Sequence, residues 1–492
     1  MKSRFLLPIL LLFVAICGFA QNFNPILPDN IADPSVAKFD GVYYLYGTTD
    51  IDKGLDQMGP PVVWKSTDFV NWSFKGTLMS GIDWDKPHKY TNEKGEERTG
   101  YFRYWAPGAP VKKGNLYYLF PTIVKPDGWN GTYTMISENP EGPFRFQNGD
   151  GVFYKNTDPN IKETLPLVDD IDGEVFDDEN GKSYFYWRRR FASEIKSDYS
   201  ELIGERISIP TSKGGYSEGP AMFKANGFYY YIYTLRANQN YCNAYMMSSE
   251  SPISGFKKPE TGNDIFLFSS IENGVWGPGH GNVFYDADTD KYIFLYLEYS
   301  EGATTRQVFA NEILFNSNGT IQTIIPNFEG VGYIGKKTKE KKNLALKAVA
   351  TASSYKENKT RTVKIETQPN EPVPGSEKEF SRTHTYKPEN AIDNSNGTRW
   401  IADENDVEPW YMLDFGKKTK ISLCEMFFNF PALGHKWTLE KSDDGKNWIV
   451  CEQSTDDMEI QTPYIVENIG KTRYLRVKIH SGSAGLWELK VY

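Results

Sequence analysis

The chain has 492 residues, a formal net charge of -9 and 15% aromatic residues, with 31 Tyr, 30 Phe and 12 Trp. That length exceeds one ordinary core, so two domains are expected. The acidic balance argues against nucleic acid as a partner, because phosphate binding needs a basic face, while the aromatic content suits β-strands and sugar-stacking surfaces.

Residues 1–20 read as a signal peptide. Lys2 and Arg4 form the charged start, Phe5 to Ile16 the apolar stretch, and Gly18-Phe19-Ala20 the small residues of a cleavage site. A secreted or periplasmic protein is expected. Lipid anchoring through Cys17 is the lesser alternative, because Ile16 suits the preceding position poorly. No later segment reaches about 18 apolar residues, so no membrane span is expected. Beyond the leader stand Cys242, Cys424 and Cys451, which make no disulfide framework. A Cys424–Cys451 bridge and free thiols both stay open.

Residues 22–335 carry a degenerate repeat. Five aromatic strand candidates recur: Val42–Tyr46, Leu116–Phe120, Ser183–Trp187, Phe228–Ile232 and Tyr292–Tyr296. The first four follow glycine-containing turns, Asp40-Gly41, Lys113-Gly114, Asn180-Gly181 and Asn226-Gly227; the fifth follows Asp288-Thr289-Asp290. Turn residues between β-type runs predict hairpins. A shorter strand precedes each turn, headed by Ala32-Asp33-Pro34, Trp105-Ala106-Pro107, Ile171-Asp172-Gly173, Ser217-Glu218-Gly219-Pro220 and Gly279-His280-Gly281. Five hairpins with little helical periodicity predict an all-β, five-bladed β-propeller, a closure that protects sheet edges.

Asp33 lies eight residues before Gly41, Asp172 nine before Gly181 and Glu218 nine before Gly227. If these first strands are innermost, the three carboxylates converge at the mouth of the central channel. Glycoside hydrolysis needs two carboxyl groups in opposite protonation states, one to protonate the leaving oxygen and one to activate water. Crowded carboxylates push at least one pKa up, which keeps an acid protonated near neutral pH.

Residues 336–342, rich in lysine, read as a linker, with a solvated basic face on the last blade as the alternative. Residues 343–492 show short β runs at Trp410–Phe415, Ile421–Phe430, His435–Lys441 and Tyr474–Ile479, and predict a β-sandwich. Residues 355–385 lack periodicity and read as a long loop.

Residues 24–325 resemble glycoside hydrolase family 43, a group of five-bladed propeller hydrolases. The carriers are Asn24-Pro25-Ile26, Ala32-Asp33-Pro34-Ser35-Val36, Trp105-Ala106-Pro107, Ile171-Asp172 with Val175-Phe176-Asp177-Asp178, Glu218-Gly219-Pro220 and Gly279-His280-Gly281, in order and one or more per blade. The resemblance implies Asp33 as the general base, Glu218 as the general acid, Asp172 as the carboxylate that raises and orients the acid, and inversion at the anomeric carbon. It implies that His280 lies near the axis, linked to a bound ion or its water, and that Arg306 contacts substrate. Trp105 either floors the sugar pocket or packs between blades. No cofactor is required for the chemistry. Gly108 and Gly173 depart from the acidic residue and the proline that many members carry there, which leaves substrate identity open. Asp169 and Asp170 stand close enough to Asp172 to compete for its role.

Residues 343–492 resemble a discoidin-like (coagulation factor 5/8 C-type) module, a jelly-roll, galactose-binding-like sandwich shared with carbohydrate-binding family 32. The carriers are Asn343-Leu344-Ala345, Pro388–Asp393 leading to Thr398-Arg399-Trp400, Tyr411–Gly416, Ser442–Trp448 and Trp487-Glu488-Leu489. The resemblance implies a structural calcium ion held by Asp393, Thr398 and Glu488, an oxygen set that suits a hard cation; a turn without metal is the alternative.

Together these readings predict a monomeric hydrolase of poly- or oligosaccharide side chains. Arabinofuranosyl or xylosyl groups are the leading substrates and galactofuranosyl or galactosyl groups the alternative. A non-catalytic sugar-binding propeller is the rival class, and a retaining relative a third possibility. Trp84 and Trp129, in the inter-blade loops, are candidate subsite aromatics.

Overall fold

The computed structural model describes residues 23–154, 158–260, 264–299, 301–302, 304–335, 341–366, 377–455 and 458–492. The leader read at 1–20 and most of the lysine-rich linker lie outside them. Among the described residues there is no α-helix, only short 3-10 turns, and no helix long and apolar enough to cross a membrane.

The five hairpins of the repeat form five blades. Blade I comprises Ile31–Phe39, Val42–Thr49 and Val63–Ser66. In blade II the inner strand is broken into Arg103–Trp105 and Val111–Lys113 by the Pro107-to-Pro110 stretch, so the blade divides into two small sheets. Blade III runs from Glu174–Asp177 through Ser183–Trp187 and Phe191–Ile195 to Ile207–Ser208. Blade IV comprises Ser217–Ala225, Phe228–Leu235, Cys242–Ser248 and Ile265–Leu267; blade V comprises Gly279–Asp286, Lys291–Glu298 and Gln307–Ile313. All neighbouring strands within a blade are antiparallel.

Aromatic second strands supply the glue between blades. One apolar cluster fills each junction: Tyr46 with Leu119 between I and II, Tyr118 with Phe185 between II and III, Tyr186 with Tyr231 between III and IV, Phe266 with Phe294 between IV and V, and Tyr43 with Phe284 between V and I. Burying each large ring stabilises by about 2–3 kcal/mol, so five such junctions hold the ring without helices. The N-terminal segment closes it. Asn24 Nδ2 donates to the carbonyls of Ala310 and Asn327, and Ile26 N donates to Val308 O at 2.9 Å.

The C-terminal unit is a seven-stranded antiparallel sheet that wraps one core containing Trp400, Tyr411, Leu413, Phe428 and Leu475. Its strands are longer than the sequence runs suggest. Trp410–Phe428 and Tyr464–Ser481 are each continuous, bending at register shifts between Asp414 and Thr419 and between Ile421 and Leu423. Cys424 and Cys451 are free, and Cys424 is buried.

Two expectations are corrected. Residues 355–385 are not simply a loop, because Lys359–Ile365 pairs with Lys378–His384 as a hairpin. The β-branched Thr360, Thr362, Val363 and Ile365 favour a strand there, a signal masked by the interleaved charges. Its apolar side packs Val363 and Ile365 on Trp276 of the propeller. Trp84 is buried against Tyr104, with ring centroids 6.1 Å apart, and is packing rather than a subsite platform. Trp129 is partly exposed, with Lys125 Nζ 4.2 Å from its ring centre.

The two units also share backbone. Gln461–Thr462 of the C-terminal unit pairs antiparallel with Phe74–Lys75 of the propeller.

Candidate active site

The inner strands approach the axis through one residue per blade with left-handed backbone: Asp33 (φ 52°), Ala106 (37°), Asp172 (66°), Gly219 (54°) and His280 (36°). A proline or glycine follows each one. For a non-glycine residue this conformation costs about 1–2 kcal/mol. In blades I, IV and V it coincides with a register shift in the first hairpin, between Ala32 and Ser35, Glu218 and Ala221, and Gly279 and Asn282. Bulges of this kind re-aim side chains, and here they turn the acidic residues and His280 toward the channel. Glu218 stands one residue ahead of its blade's left-handed position, which Gly219 occupies; a Cβ there would meet the His280 ring at 2.8 Å.

Three threonines near the ends of second strands bracket the ring. Thr48 Oγ1 accepts from Ala106 N at 3.0 Å, Thr122 Oγ1 from Asp172 N at 3.0 Å, and Thr234 Oγ1 from His280 N at 2.9 Å. Each pins the left-handed residue of the next blade. Between blades III and IV the acceptor is a carboxylate, because Gly219 N donates to Asp172 Oδ2 at 3.1 Å.

The predicted residues do assemble. His280 Nδ1 lies 3.4 Å from Asp33 Oδ1 and 3.8 Å from Asp172 Oδ2. Thr48 donates its hydroxyl to Asp33 Oδ2 at 2.6 Å, and Arg306 Nη1 lies 3.7 Å from Asp33 Oδ1. Both neighbours suit an anionic carboxylate. Arg306 is buried rather than solvated: its Nε and Nη2 both donate to Asp50 at 2.9 Å. Burial pushes Asp50 up while Arg306 pulls it back, and the arginine itself is held firmly charged.

Asp172 and Glu218 sit in the opposite environment. Burial, reinforced by Asp33, pushes Asp172 up to about 8. Burial and then Asp172 raise Glu218, against the opposing pull of His280 and of two tyrosines. Those tyrosines, Tyr216 and Tyr241, each donate a hydroxyl to one oxygen of Glu218. Tyr241 is buried, whereas Tyr216 is exposed at the rim. Sequence reasoning missed both; the signal available was Tyr216 two residues ahead of Glu218. Glu174 was also missed as a site group. It is buried on the channel wall, accepts from Ala109 N and Asn282 Nδ2, and is pushed by burial up to about 7.

The competition among neighbouring acids resolves by geometry. Asp170 pairs with Arg188 at 2.6 Å and Arg189 at 3.5 Å, leaving Asp172 at the channel. Trp105 is half-buried, with the Arg103 guanidinium 5.5 Å from its ring centre. The two departures from the family pattern interlock. Gly108 has φ 68°, and a Cβ there would meet Gly173 O at 2.3 Å; a Cβ on Gly173 would strike Thr132 and Phe185.

In the C-terminal unit Thr398 Oγ1 donates to Asp393 Oδ2 at 2.7 Å, and Glu488 Oε1 accepts from Ser395 N at 3.2 Å. Glu488 Oε2 is buried with no hydrogen-bond partner among the described residues. Burial, with a further contribution from Asp393, pushes Glu488 up to about 8. An orphaned carboxylate oxygen beside a second carboxylate and a hydroxyl fits a hard cation. No group of three or more His, Cys, Asp or Glu side chains arranged for a metal occurs among the described residues, at His280 or elsewhere. A cation at Asp393 would therefore draw on hydroxyl and backbone oxygens as well.

Residues 23–321 match the family model for glycosyl hydrolases family 43, and residues 374–489 match that for the F5/8 type C domain. A solved structure described as a glycoside hydrolase is 36% identical, with a TM-score of 0.80, and the match covers 95% of this chain and all of that one. Among curated relatives, a β-D-galactofuranosidase of Aspergillus niger is 26% identical over 328 residues, 63% of this chain and 86% of its own. An arabinoxylan arabinofuranohydrolase of Bacillus subtilis is 24% identical over 364 residues, 64% of this chain and 66% of its own.

Proposed function

The chain belongs to glycosyl hydrolases family 43 and is a glycoside hydrolase; from that premise we propose that it removes terminal or side-chain furanosyl or xylosyl groups with inversion, using Asp33 as base and Glu218 as acid. The observation that carries the assignment is the contrast between the two carboxyls. Asp33 is matched to a guanidinium and a hydroxyl donor, whereas burial and the neighbouring Asp172 raise Glu218. Opposite protonation states are what the reaction needs.

In the proposed step the Asp33 carboxylate takes a proton from water as the water oxygen bonds to the anomeric carbon. Glu218 gives its proton to the glycosidic oxygen as the carbon–oxygen bond breaks. Tyr241 holds Oε1 from the buried side, so Oε2, covered by the exposed Tyr216, is the oxygen that meets the leaving group. Asp172 acts through Glu218, raising it and anchoring the adjacent Gly219 N–H. His280 and Arg306 hold Asp33, and Trp105 lines the approach.

An arabinofuranosyl or xylosyl substrate is the leading reading. The name of the Aspergillus relative supports a galactofuranosyl group as the alternative. Export through the leader at 1–20 and a structural calcium ion held by Asp393, Thr398 and Glu488 belong to the same proposal. The ion would neutralise the buried Glu488 and its exposed neighbour Asp393 and takes no part in hydrolysis. A panel of aryl arabinofuranosides, xylosides, galactofuranosides and galactosides, run with Asp33→Asn and Glu218→Gln, tests the reading. A substrate cleaved equally well by either variant overturns it.

A further inference from the structure

The hairpin of Lys359–Ile365 and Lys378–His384 belongs in sequence to the C-terminal region, yet it packs on the propeller beside the catalytic mouth. Trp276, from the segment entering blade V, is fully buried beneath it, against Val363 and Ile365. Two arginines of the hairpin reach the same indole, Arg382 at 4.7 Å and Arg361 at 5.8 Å from its ring centre. Arg382 also donates to Gly274 O at 2.7 Å and to the buried Glu298 at 2.8 Å, and Glu298 in turn accepts from Trp276 N. Arg361 donates to Tyr299 O at 3.1 Å. At the hairpin's far end Glu366 pairs with Arg236 at 2.6 Å, and its N–H donates to Asn240 Oδ1 at 3.1 Å.

Apart from those to Gly274, Trp276 and Glu298, these contacts fall on two propeller loops. The loop spanning Arg236 to Tyr241 joins two strands of blade IV, and Tyr299 opens the loop after Lys291–Glu298 of blade V. Tyr241 and Tyr299 pack together at 5.5 Å between ring centroids, in one buried cluster with Ala32, the residue before Asp33. The Tyr241 hydroxyl ends on Glu218. An unbroken set of packed or hydrogen-bonded groups therefore runs from Arg361 through Tyr299 and Tyr241 to the acid. The hairpin thus adds five part-buried hydrogen-bond or ion-pair anchors, four of which involve a charged side chain.

We propose that Arg361, Arg382 and Glu366 are positioning residues for the general acid: the hairpin clamps the loops that carry Tyr241 and Tyr299 and so fixes the Glu218 carboxyl toward the leaving oxygen. The C-terminal region then forms part of the catalytic unit rather than a tethered binding module alone. The proposal rests on the assignment of Glu218 as acid.

The test uses the full chain and two glycosides of whichever sugar is cleaved, one with a 2,4-dinitrophenyl leaving group and one with methyl. A good leaving group departs without a proton, so a misplaced acid is felt only with the poor one. The Arg361→Ala/Arg382→Ala double variant is expected to lose about tenfold in kcat on the methyl glycoside and less than twofold on the dinitrophenyl glycoside. Tyr241→Phe is expected to show the same selectivity. Glu366→Gln, which removes only the pairing with Arg236, is read in the same way and serves if the double variant does not fold. Equal losses on both substrates, or none, alongside a leaving-group-selective loss in Glu218→Gln overturn the role of the hairpin. A Glu218→Gln variant without that selectivity overturns the acid assignment, and the hairpin proposal with it.

Discussion

Gly219 donates its backbone N–H to Asp172 at 3.1 Å, where the corresponding groups of Ala106, Asp172 and His280 find a threonine hydroxyl. One junction of the ring is thus built on a titratable acceptor, and that acceptor stands next to the residue assigned as acid. Replacing Asp172 with Asn keeps an acceptor for the Gly219 N–H but removes the carboxylate charge that raises Glu218. The basic limb of the kcat–pH profile is expected to move to lower pH, with a fall of roughly tenfold at pH 7. An unmoved limb would show that Asp172 does not act through the acid.

Asp33→Asn and Glu218→Gln are each expected to lower kcat by about 10²–10⁴ on a glycoside with a poor leaving group, the usual range for proton transfer by a positioned side chain. Proton NMR of the first-formed anomer checks the stereochemistry. A retained configuration removes the base role of Asp33 and requires a nucleophile instead.

Stability is expected to fall as pH rises. Asp172 and Glu488, each near 8, and Glu174, near 7, lie above the ordinary carboxyl range. A group whose folded pKa exceeds its unfolded one binds more protons in the folded state, so its contribution is complete below about pH 4 and lost as pH climbs through the folded value. Melting temperature, followed by calorimetry, is expected to be higher at pH 5.5 than at pH 8.5. A flat or inverted profile would contradict the raised values.

Calcium acts in the opposite sense. If Asp393, Thr398 and Glu488 hold the ion, chelation lowers the melting temperature of the full chain, and more at pH 8 than at pH 5.5, because the ion offsets the buried carboxylate charge. Glu488→Gln is expected to abolish the difference between chelated and calcium-loaded protein. An unchanged melting temperature on chelation speaks for a metal-free turn.

Gly219→Ala is expected to destabilise by about 1–3 kcal/mol, since the position has φ 54° and a new methyl would press on the His280 ring. Denaturant unfolding checks this. Gly41, also left-handed but with nothing within 4 Å of a Cβ, is the control and is expected to cost less when changed to Ala.

Much of this was legible in the sequence, because hairpin turns and aromatic second strands follow local rules. Ser183–Trp187 coincides with its predicted run, and the five repeats map one to one onto blades. The convergence of Asp33, Asp172 and Glu218 followed from repeat position, and the place of His280 beside them from the family resemblance. Tyr241 did not, because its approach to Glu218 depends on a loop between two strands, where composition does not set conformation. The hairpin of Lys359–Ile365 and Lys378–His384 was obscured for a related reason: Arg361 and Arg382 on its inward face are satisfied by the propeller, so neither strand shows a self-contained amphipathic pattern. Arg306 is expected from the resemblance to contact substrate, but its carboxylate partner is not visible in the sequence. Only the fold brings Asp50, some 256 positions away, to neutralise it.

The Asn24 clasp has a consequence in time. Its carbonyl partners lie 286 and 303 residues further along the chain. At about 5–20 residues per second, a ribosome needs roughly 15–60 s to deliver them. Throughout that interval the first blade has no fifth blade to lean on, and its aromatic edge stays bare. Ring closure is therefore a late event of synthesis.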